Sequence, residues 1–336
     1  MTIKCGKYTR RLENAPSVSG FAAVASKKEG EGPFGKKIDR VLDDALFGRQ
    51  SWEQAESEMQ KQAAELALKK AALTVPEIDY LFAGDLLNQC IASHYGMRDL
   101  DIPFVGLYGA CSTMAESLAM AALFVECGIA QNALAVTSSH FCASERQFRF
   151  PLEYGGVRTP TAQWTVTGAG AAVIGARTAP PYVRAVTIGT IEDKGVTDIS
   201  NMGAAMAPAA AETISRFLRD TGTSPEDYDM IFTGDLAAVG SELLLRLLRL
   251  EGIDISKNHA DCGMLIYDRE KQDVDAGGSG CGCAATILCS HILPQLRDGR
   301  LNNVLFCATG ALMSTVSIQQ GESIPGIAHL VQLSNE

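Results

Sequence analysis

None of the ten cysteines stands in a Cys-x-x-Cys pair. The nearest approach, Cys281-Gly282-Cys283, has a spacing that suits neither a zinc knuckle nor a thioredoxin-like motif. Buried free thiols in a reducing compartment are therefore the expectation. Excess positive charge is missing too. With 29 Lys and Arg against 39 Asp and Glu the chain carries −10, which argues against a nucleic-acid partner and against a general basic face for anionic lipid. Residues 1–11 are polar and basic with no apolar core after them, so no signal peptide is expected. No membrane span is expected either. The longest apolar stretch, residues 117–137, is interrupted by Glu126, Gly128, Gln131 and Asn132 and reads as a buried helix plus a strand. What is present is ordinary globular material, 46% hydrophobic and 20% charged over 336 residues. That length suits two domains or one fused double unit.

The chain is organised around Gly109-Ala110-Cys111-Ser112-Thr113, which sits between the apolar run Pro103-Phe104-Val105-Gly106-Leu107 and a helical run over residues 114–126. Read as strand, turn and helix N-terminus, this places the Cys111 thiol where backbone N–H groups are unpaired and the helix dipole is positive. Such a position favours a thiolate or a bound anion. The first fifty residues read as irregular. Within them Glu29-Gly30-Glu31-Gly32-Pro33-Phe34-Gly35, flanked by Lys27, Lys28, Lys36 and Lys37, reads as a solvated loop ahead of a lysine-lined cleft entrance. Residues 51–73 are helical in pattern: Ser51 and Gln54 have capping-box spacing, and Ala55, Met59, Ala63, Leu66 and Leu73 form an apolar stripe.

Two passages then repeat. Asp79-Tyr80-Leu81-Phe82-Ala83-Gly84-Asp85-Leu86 and Asp229-Met230-Ile231-Phe232-Thr233-Gly234-Asp235-Leu236 share Asp, Phe, Gly, Asp and Leu at a constant offset of 150. Further on, turn, helix, Gly128, Asn132 and the strand Ala133-Leu134-Ala135-Val136-Thr137 match turn, helix, Gly299, Asn303 and Val304-Leu305-Phe306-Cys307-Ala308 at an offset of 171. The 21 extra residues fall in the polar, turn-rich residues 257–277. The chain is thus two copies of one α/β unit, residues 1–180 and 181–336, the second carrying an insertion. Short apolar strands of this kind belong to sheets buried on both faces.

Two α/β halves with a cysteine opening the helix after an inner strand resemble the thiolase-like fold. The resemblance implies a duplicated α/β unit in five layers, α-β-α-β-α, with helices at the centre. In thiolases and ketoacyl synthases the capping cysteine is the acyl-accepting nucleophile, and the second half supplies His, Asn or Cys partners. Here Cys111 is present and those partners are not. Where ketoacyl synthases place a His-containing motif the chain reads Gly234-Asp235-Leu236, and where thiolases carry Gly-His-Pro it reads Gly277-Gly278-Ser279-Gly280-Cys281-Gly282. The counterpart of the thiolase Cys-x-Gly-Gly-Gly turn, Cys307-Ala308-Thr309-Gly310-Ala311, keeps the cysteine but not the glycine run.

The histidines are weighed one by one. His259 is expected to face solvent, His291 to be packed or functional in equal measure, and His94 and His329 to lack polar company. His140, at the end of the strand after the Cys111 helix, can face the cleft as a base. That keeps an acyltransferase using Cys111 as nucleophile in view as the alternative. Around His140 the chain supplies Ser138 and Ser139, then Arg146 and Arg149, then Thr165-Val166-Thr167-Gly168-Ala169-Gly170. Hydroxyls, glycine turns and arginines suit a small carboxylate better than a long acyl chain. Pairing of the arginines with Glu145, Glu153 or a partner subunit is the competing account.

Three longer passages, Ala83-Gly84-Asp85-Leu86-Leu87-Asn88-Gln89, Gly109-Ala110-Cys111-Ser112-Thr113 and Ser144-Glu145-Arg146-Gln147-Phe148-Arg149, resemble the stage V sporulation protein AD family of spore-forming Firmicutes, as do Asn201-Met202-Gly203 and Ala308-Thr309-Gly310-Ala311-Leu312. The resemblance runs from about residue 30 to about residue 329. It implies a thiolase-like protein without established condensing activity that binds dipicolinic acid, pyridine-2,6-dicarboxylate. It also implies work beside stage V sporulation membrane proteins AC and AE in moving dipicolinate, with calcium, into the forespore and out at germination, from a peripheral position at the inner membrane. A homodimer is implied by the fold family, and no cofactor or resident metal. Candidate ligand contacts are Cys111 and Ser112 at the helix start, Ser138, Ser139, His140 and Arg146 after the next strand, and Ser279, Thr309 and Ser314 from the second half.

Overall fold

The computed structural model describes residues 2–148 and 156–336. The first half contains β1 (Ser17–Ser26), α1 (Trp52–Ala71), β2 (Tyr80–Gly84), β3 (Phe104–Gly106), α2 (Thr113–Glu126), β4 (Asn132–Ser139) and β5 (Gly168–Gly175). Its sheet runs β3-β2-β4-β5-β1, with the first three strands parallel and β5 and β1 antiparallel to their neighbours. The second half contains β6 (Tyr182–Thr187), α3 (Met202–Thr221), β7 (Met230–Thr233), α4 (Ala237–Leu250), β8 (His259–Asp261), α5 (Cys281–Ile287), β9 (Asn303–Ala311) and β10 (Gly326–Ser334). Its sheet runs β8-β7-β9-β10-β6 with the same pattern of directions. The two sheets meet where Tyr182 pairs with Ser17.

Helix α2 packs against β2 and β4 on one side and against β9 and β10 on the other, and α5 lies beside it against β4 and β5. Helix α1 covers the outer face of the first sheet, and α3 with α4 covers that of the second. The order is therefore α-β-α-β-α, the five-layered thiolase-like arrangement. Small residues make the central layer possible. A Cβ on Gly170 would lie 2.5 Å from the Ala285 carbonyl oxygen, so the α5 backbone rests directly on β5.

The repeat has a structural cause. Asp79 accepts from the backbone N–H groups of Gln131 and Asn132, and the Asn132 amide donates to Glu77 O at 3.1 Å, which joins the starts of β2 and β4. In the second half Asp229 accepts from Asn302 and Asn303, and the Asn303 amide donates to Asp227 O at 2.9 Å. The same task keeps the same residues in both copies. Helix α1 starts as its spacing predicts, with Gln54 N donating to Ser51 Oγ at 3.3 Å. The Gln54 side chain, however, accepts from Gln50 rather than closing a box on Ser51.

Two expectations are corrected here. The supposedly irregular first fifty residues contain β1, a ten-residue strand paired along its length with β5. Its sequence shows no alternation because nearly every residue is buried, on both faces. Residues 257–277, polar and turn-rich in sequence, supply β8 and bury Cys262, Ile266, Tyr267 and Val274. The Tyr267 hydroxyl donates to buried Glu29, which also accepts from Ser26 Oγ at 2.5 Å and Thr167 N at 3.0 Å. His259, expected to face solvent, is the second correction. It is mostly covered, its Nε2 lies 2.9 Å from Thr233 Oγ1, and burial pushes its pKa down to about 4.

Candidate functional site

Strand β3 runs into a turn that its own side chains lock. Ser112 N donates to Gly109 O at 3.0 Å, Thr113 Oγ1 donates to Ala110 O at 2.6 Å, and Gly109 N donates to Thr113 Oγ1 at 3.1 Å. Ala110 takes a left-handed φ of 49°, a conformation non-glycine residues adopt at some cost. The second half presses on this turn from β9. A Cβ at Gly310 would come within 2.2 Å of Gly109 O and 3.2 Å of Cys111 N, so only glycine permits the approach.

Facing Cys111 is Asp235, delivered by the turn after β7. Its Oδ1 accepts from Thr309 Oγ1 at 2.9 Å, and its Oδ2 accepts from Gly280 N at 2.7 Å and Ser279 Oγ at 3.3 Å. The Cys111 thiol lies close enough to feel the same carboxylate. Burial pushes the Asp235 carboxyl up, against the pull of these donors. Burial, then the Asp235 charge, pushes the Cys111 thiol well above its ordinary value. The thiolate expected from the helix N-terminus is thus overruled: a buried carboxylate as nearest neighbour outweighs the partial positive charge of a helix end. Burial beside an acid keeps the Cys111 thiol protonated.

A small cavity of about 30 Å³ opens beside it, lined by Leu86, Tyr108, Ala110, Cys111, Phe148, Met202, Ser279, Ala311 and Met313. That space takes one carboxylate-sized group or a water molecule or two. Of the predicted contacts, the structure brings Cys111 and Ser279 to the cavity, with Thr309 behind Asp235. Ser112 stays in the turn, its hydroxyl donating to Gly109 O at 2.7 Å.

The remaining candidates are elsewhere. Ser139 donates to Val166 O at 2.7 Å and accepts from Gly282 N. His140 is buried with Nε2 2.7 Å from Ala45 O, while Nδ1 accepts from Ala143 N at 3.4 Å. Those partners make Nε2 the protonated nitrogen, and burial lowers the ring's pKa. It does not line the cavity. Arg146 is on the surface, paired with Glu53 and 5.3 Å over the Trp52 ring rather than with Glu145. Ser314 is exposed and caps the short helix Thr315–Gln319. Arg149 and Glu153 lie outside the described residues. Asp235 is the functional residue the sequence reading passed over. Its signal was available as the acid standing where a histidine was sought. Tyr108, Phe148, Met202 and Met313 carried none, because apolar residues that line a cavity and apolar residues that fill a core look alike in sequence.

Ser138 belongs to a second buried network. It donates to Glu56 Oε1 at 2.9 Å, and Gln60 Nε2 reaches it at 3.2 Å and Ser93 Oγ at 3.0 Å. Ser93 in turn donates to Asp85 Oδ2 at 2.6 Å. Asp85 is the first-half counterpart of Asp235. Burial, then the charge of Asp85, pushes Glu56 well above the ordinary carboxylate range, and burial also raises Asp85. Raised carboxyl pKa values mean that the folded state binds protons more tightly than the unfolded one. Their contribution is full below the ordinary carboxylate pKa and is lost as pH rises through the folded value. Glu56→Gln is therefore expected to hold its melting temperature better than wild type as pH rises above the ordinary carboxylate range. Parallel melting-temperature curves for the two proteins would contradict this.

No helix among the described residues is long and apolar enough to cross a membrane. The family model for stage V sporulation protein AD matches residues 6–334. Stage V sporulation protein AD of Bacillus subtilis (strain 168) is 47% identical over 324 residues, covering 96% of this chain and 96% of that protein. Among solved structures, 3-oxoacyl-[acyl-carrier-protein] synthase III from Aquifex aeolicus VF5 aligns with a TM-score of 0.56 at 15% identity, over 95% of this chain and 99% of that one. Cerulenin-bound OleA from Xanthomonas campestris aligns with a TM-score of 0.60 at 16% identity, over 95% of this chain and 96% of that one. These two likenesses are of fold. The match to the sporulation family spans nearly the whole chain at far higher identity, and with it the chain belongs to the stage V sporulation protein AD family.

Proposed function

We propose that this sporulation protein binds dipicolinic acid at the Cys111 cavity without chemistry. In this reading it acts as the peripheral component at the inner forespore membrane that passes the ligand, with calcium, to stage V sporulation membrane proteins AC and AE. The observation that carries it is the buried Asp235 carboxylate beside the Cys111 thiol, held there by Gly280 N, Ser279 Oγ and Thr309 Oγ1. An acyl-accepting thiol needs a base or a positive neighbour; this one faces a carboxylate that holds its proton in place. A ligand carboxylate entering the 30 Å³ space meets the Cys111 thiol and the Ser279 residue that line it. The calcium chelate has no net charge, so it meets buried Asp235 without the repulsion a free dianion would suffer.

Calorimetry with dipicolinate, with and without calcium, tests the reading. Cys111→Trp fills the cavity and is expected to weaken binding by about 30-fold or more, since overpacking costs roughly 1–3 kcal/mol or beyond. Cys111→Ser is expected to retain part of the affinity. Unchanged affinity in both variants would remove the site. The fold likenesses favour one other reading, acyl transfer on Cys111. Intact mass after incubation with acetyl-CoA decides it: a covalent adduct on Cys111 supports transfer, and an unmodified mass supports binding alone.

A further inference from the structure

Phe148 is the last described residue of the helix Phe141–Phe148 and forms part of the cavity wall. Its ring packs on Leu86, Cys111 and Cys281 on one side and on the apolar cluster of the second half, with Met313, on the other. The helix that carries it is pinned along its length. Phe141 N donates to Thr167 Oγ1 at 3.0 Å, the Phe141 ring stacks on Trp164 at 4.1 Å, and Gln147 Oε1 accepts from Asn88 N at 2.9 Å. Rotation of the Phe148 side chain is therefore the least disruptive way to change the size of the space beside Cys111.

We propose that Phe148 is the size-determining residue of the site. In its present rotamer it admits only a carboxylate-sized group, and it yields a slot for a planar six-membered ring when its own ring turns out. A cavity known to take benzene is about 150 Å³, far more than the 30 Å³ present. The ring that must leave has the shape of the ring that would enter. The walls beside it suit that exchange: Met202 and Met313 have flexible thioethers that repack around either occupant, and Tyr108, 48% exposed, forms an aromatic wall at the mouth. The choice of an aromatic acid as occupant rests on the proposed function. The control of access to Cys111 by Phe148 does not.

Alkylation by iodoacetamide, read by peptide mass on the full-length protein, separates the two. Phe148→Ala is expected to speed modification of Cys111 by about tenfold or more, Phe148→Leu to give a smaller acceleration, and Phe148→Trp to slow it. Cys289 and Cys307, buried away from the cavity, report unfolding and are expected to stay unmodified. Equal Cys111 rates in wild type and Phe148→Ala overturn the proposal. So does acceleration in Phe148→Ala and Phe148→Leu that is matched at Cys289 and Cys307. Dipicolinate is expected to protect Cys111 in the wild type. Acceleration by Phe148→Ala without protection by dipicolinate would leave the access role standing and remove the ligand.

Discussion

Replacing Asp235 by alanine is expected to lower the free energy of unfolding by about 1–3 kcal/mol, the usual cost of leaving buried donors without their acceptor. The carboxylate takes donors from Gly280 N, Ser279 Oγ and Thr309 Oγ1. The hydroxyls can turn to other acceptors. The Gly280 N–H cannot, because it is fixed at the start of α5. Asp235→Asn keeps the shape but brings an N–H₂ toward groups that all donate, so a loss of about 1–3 kcal/mol is expected. In that variant the Cys111 thiol titrates lower than in wild type, because the charge that raises it is gone. Urea unfolding and a thiol titration measure both effects. A loss below about 1 kcal/mol in Asp235→Ala would show that the three contacts are not the bonds described.

Gly310→Ala carries the second large effect. Its Cβ would meet Gly109 O at 2.2 Å and Ser112 N at 3.1 Å, backbone against backbone, where no side-chain rotation gives relief. Either β9 or the Cys111 turn has to move, at a cost of about 1–3 kcal/mol or more. The turn carries the cavity wall, so affinity for dipicolinate is expected to fall together with stability. Gly156→Ala, which meets nothing within 4 Å, is the comparison and is expected to stay within about 0.5 kcal/mol of wild type. If the two glycine variants unfold alike, the close approach of β9 to the turn is wrong.

The parts of the fold that were legible have short-range causes. Helix α1 announces itself through Ser51 and its apolar stripe, and α2 through the turn that precedes it. Strand β1 and residues 257–277 were illegible for opposite reasons. One is apolar without alternation because both faces are covered; the other looks polar because its buried side chains, Tyr267 among them, are spread between turns. At the site, Cys111 and Ser279 were found from glycine turns at helix starts. Ser138, Ser139 and His140 were placed by adjacency to the same strand end. A strand end offers several directions, however, and these three side chains turn to Glu56, Val166 O and Ala45 O.

By itself the sequence determined that the protein is a doubled α/β unit with a cysteine at the start of a central helix. The Asp79–Asn132 and Asp229–Asn303 clamps join residues 53 and 74 apart in the chain, and the same pairing made twice leaves a repeated pattern of residue types. Only the tertiary structure decided what Cys111 is. Asp235 reaches it from the other half of the chain, and the partial charge of a helix start is weak beside a full carboxylate in a buried site. The turn that reads as a place for a thiolate therefore holds a proton.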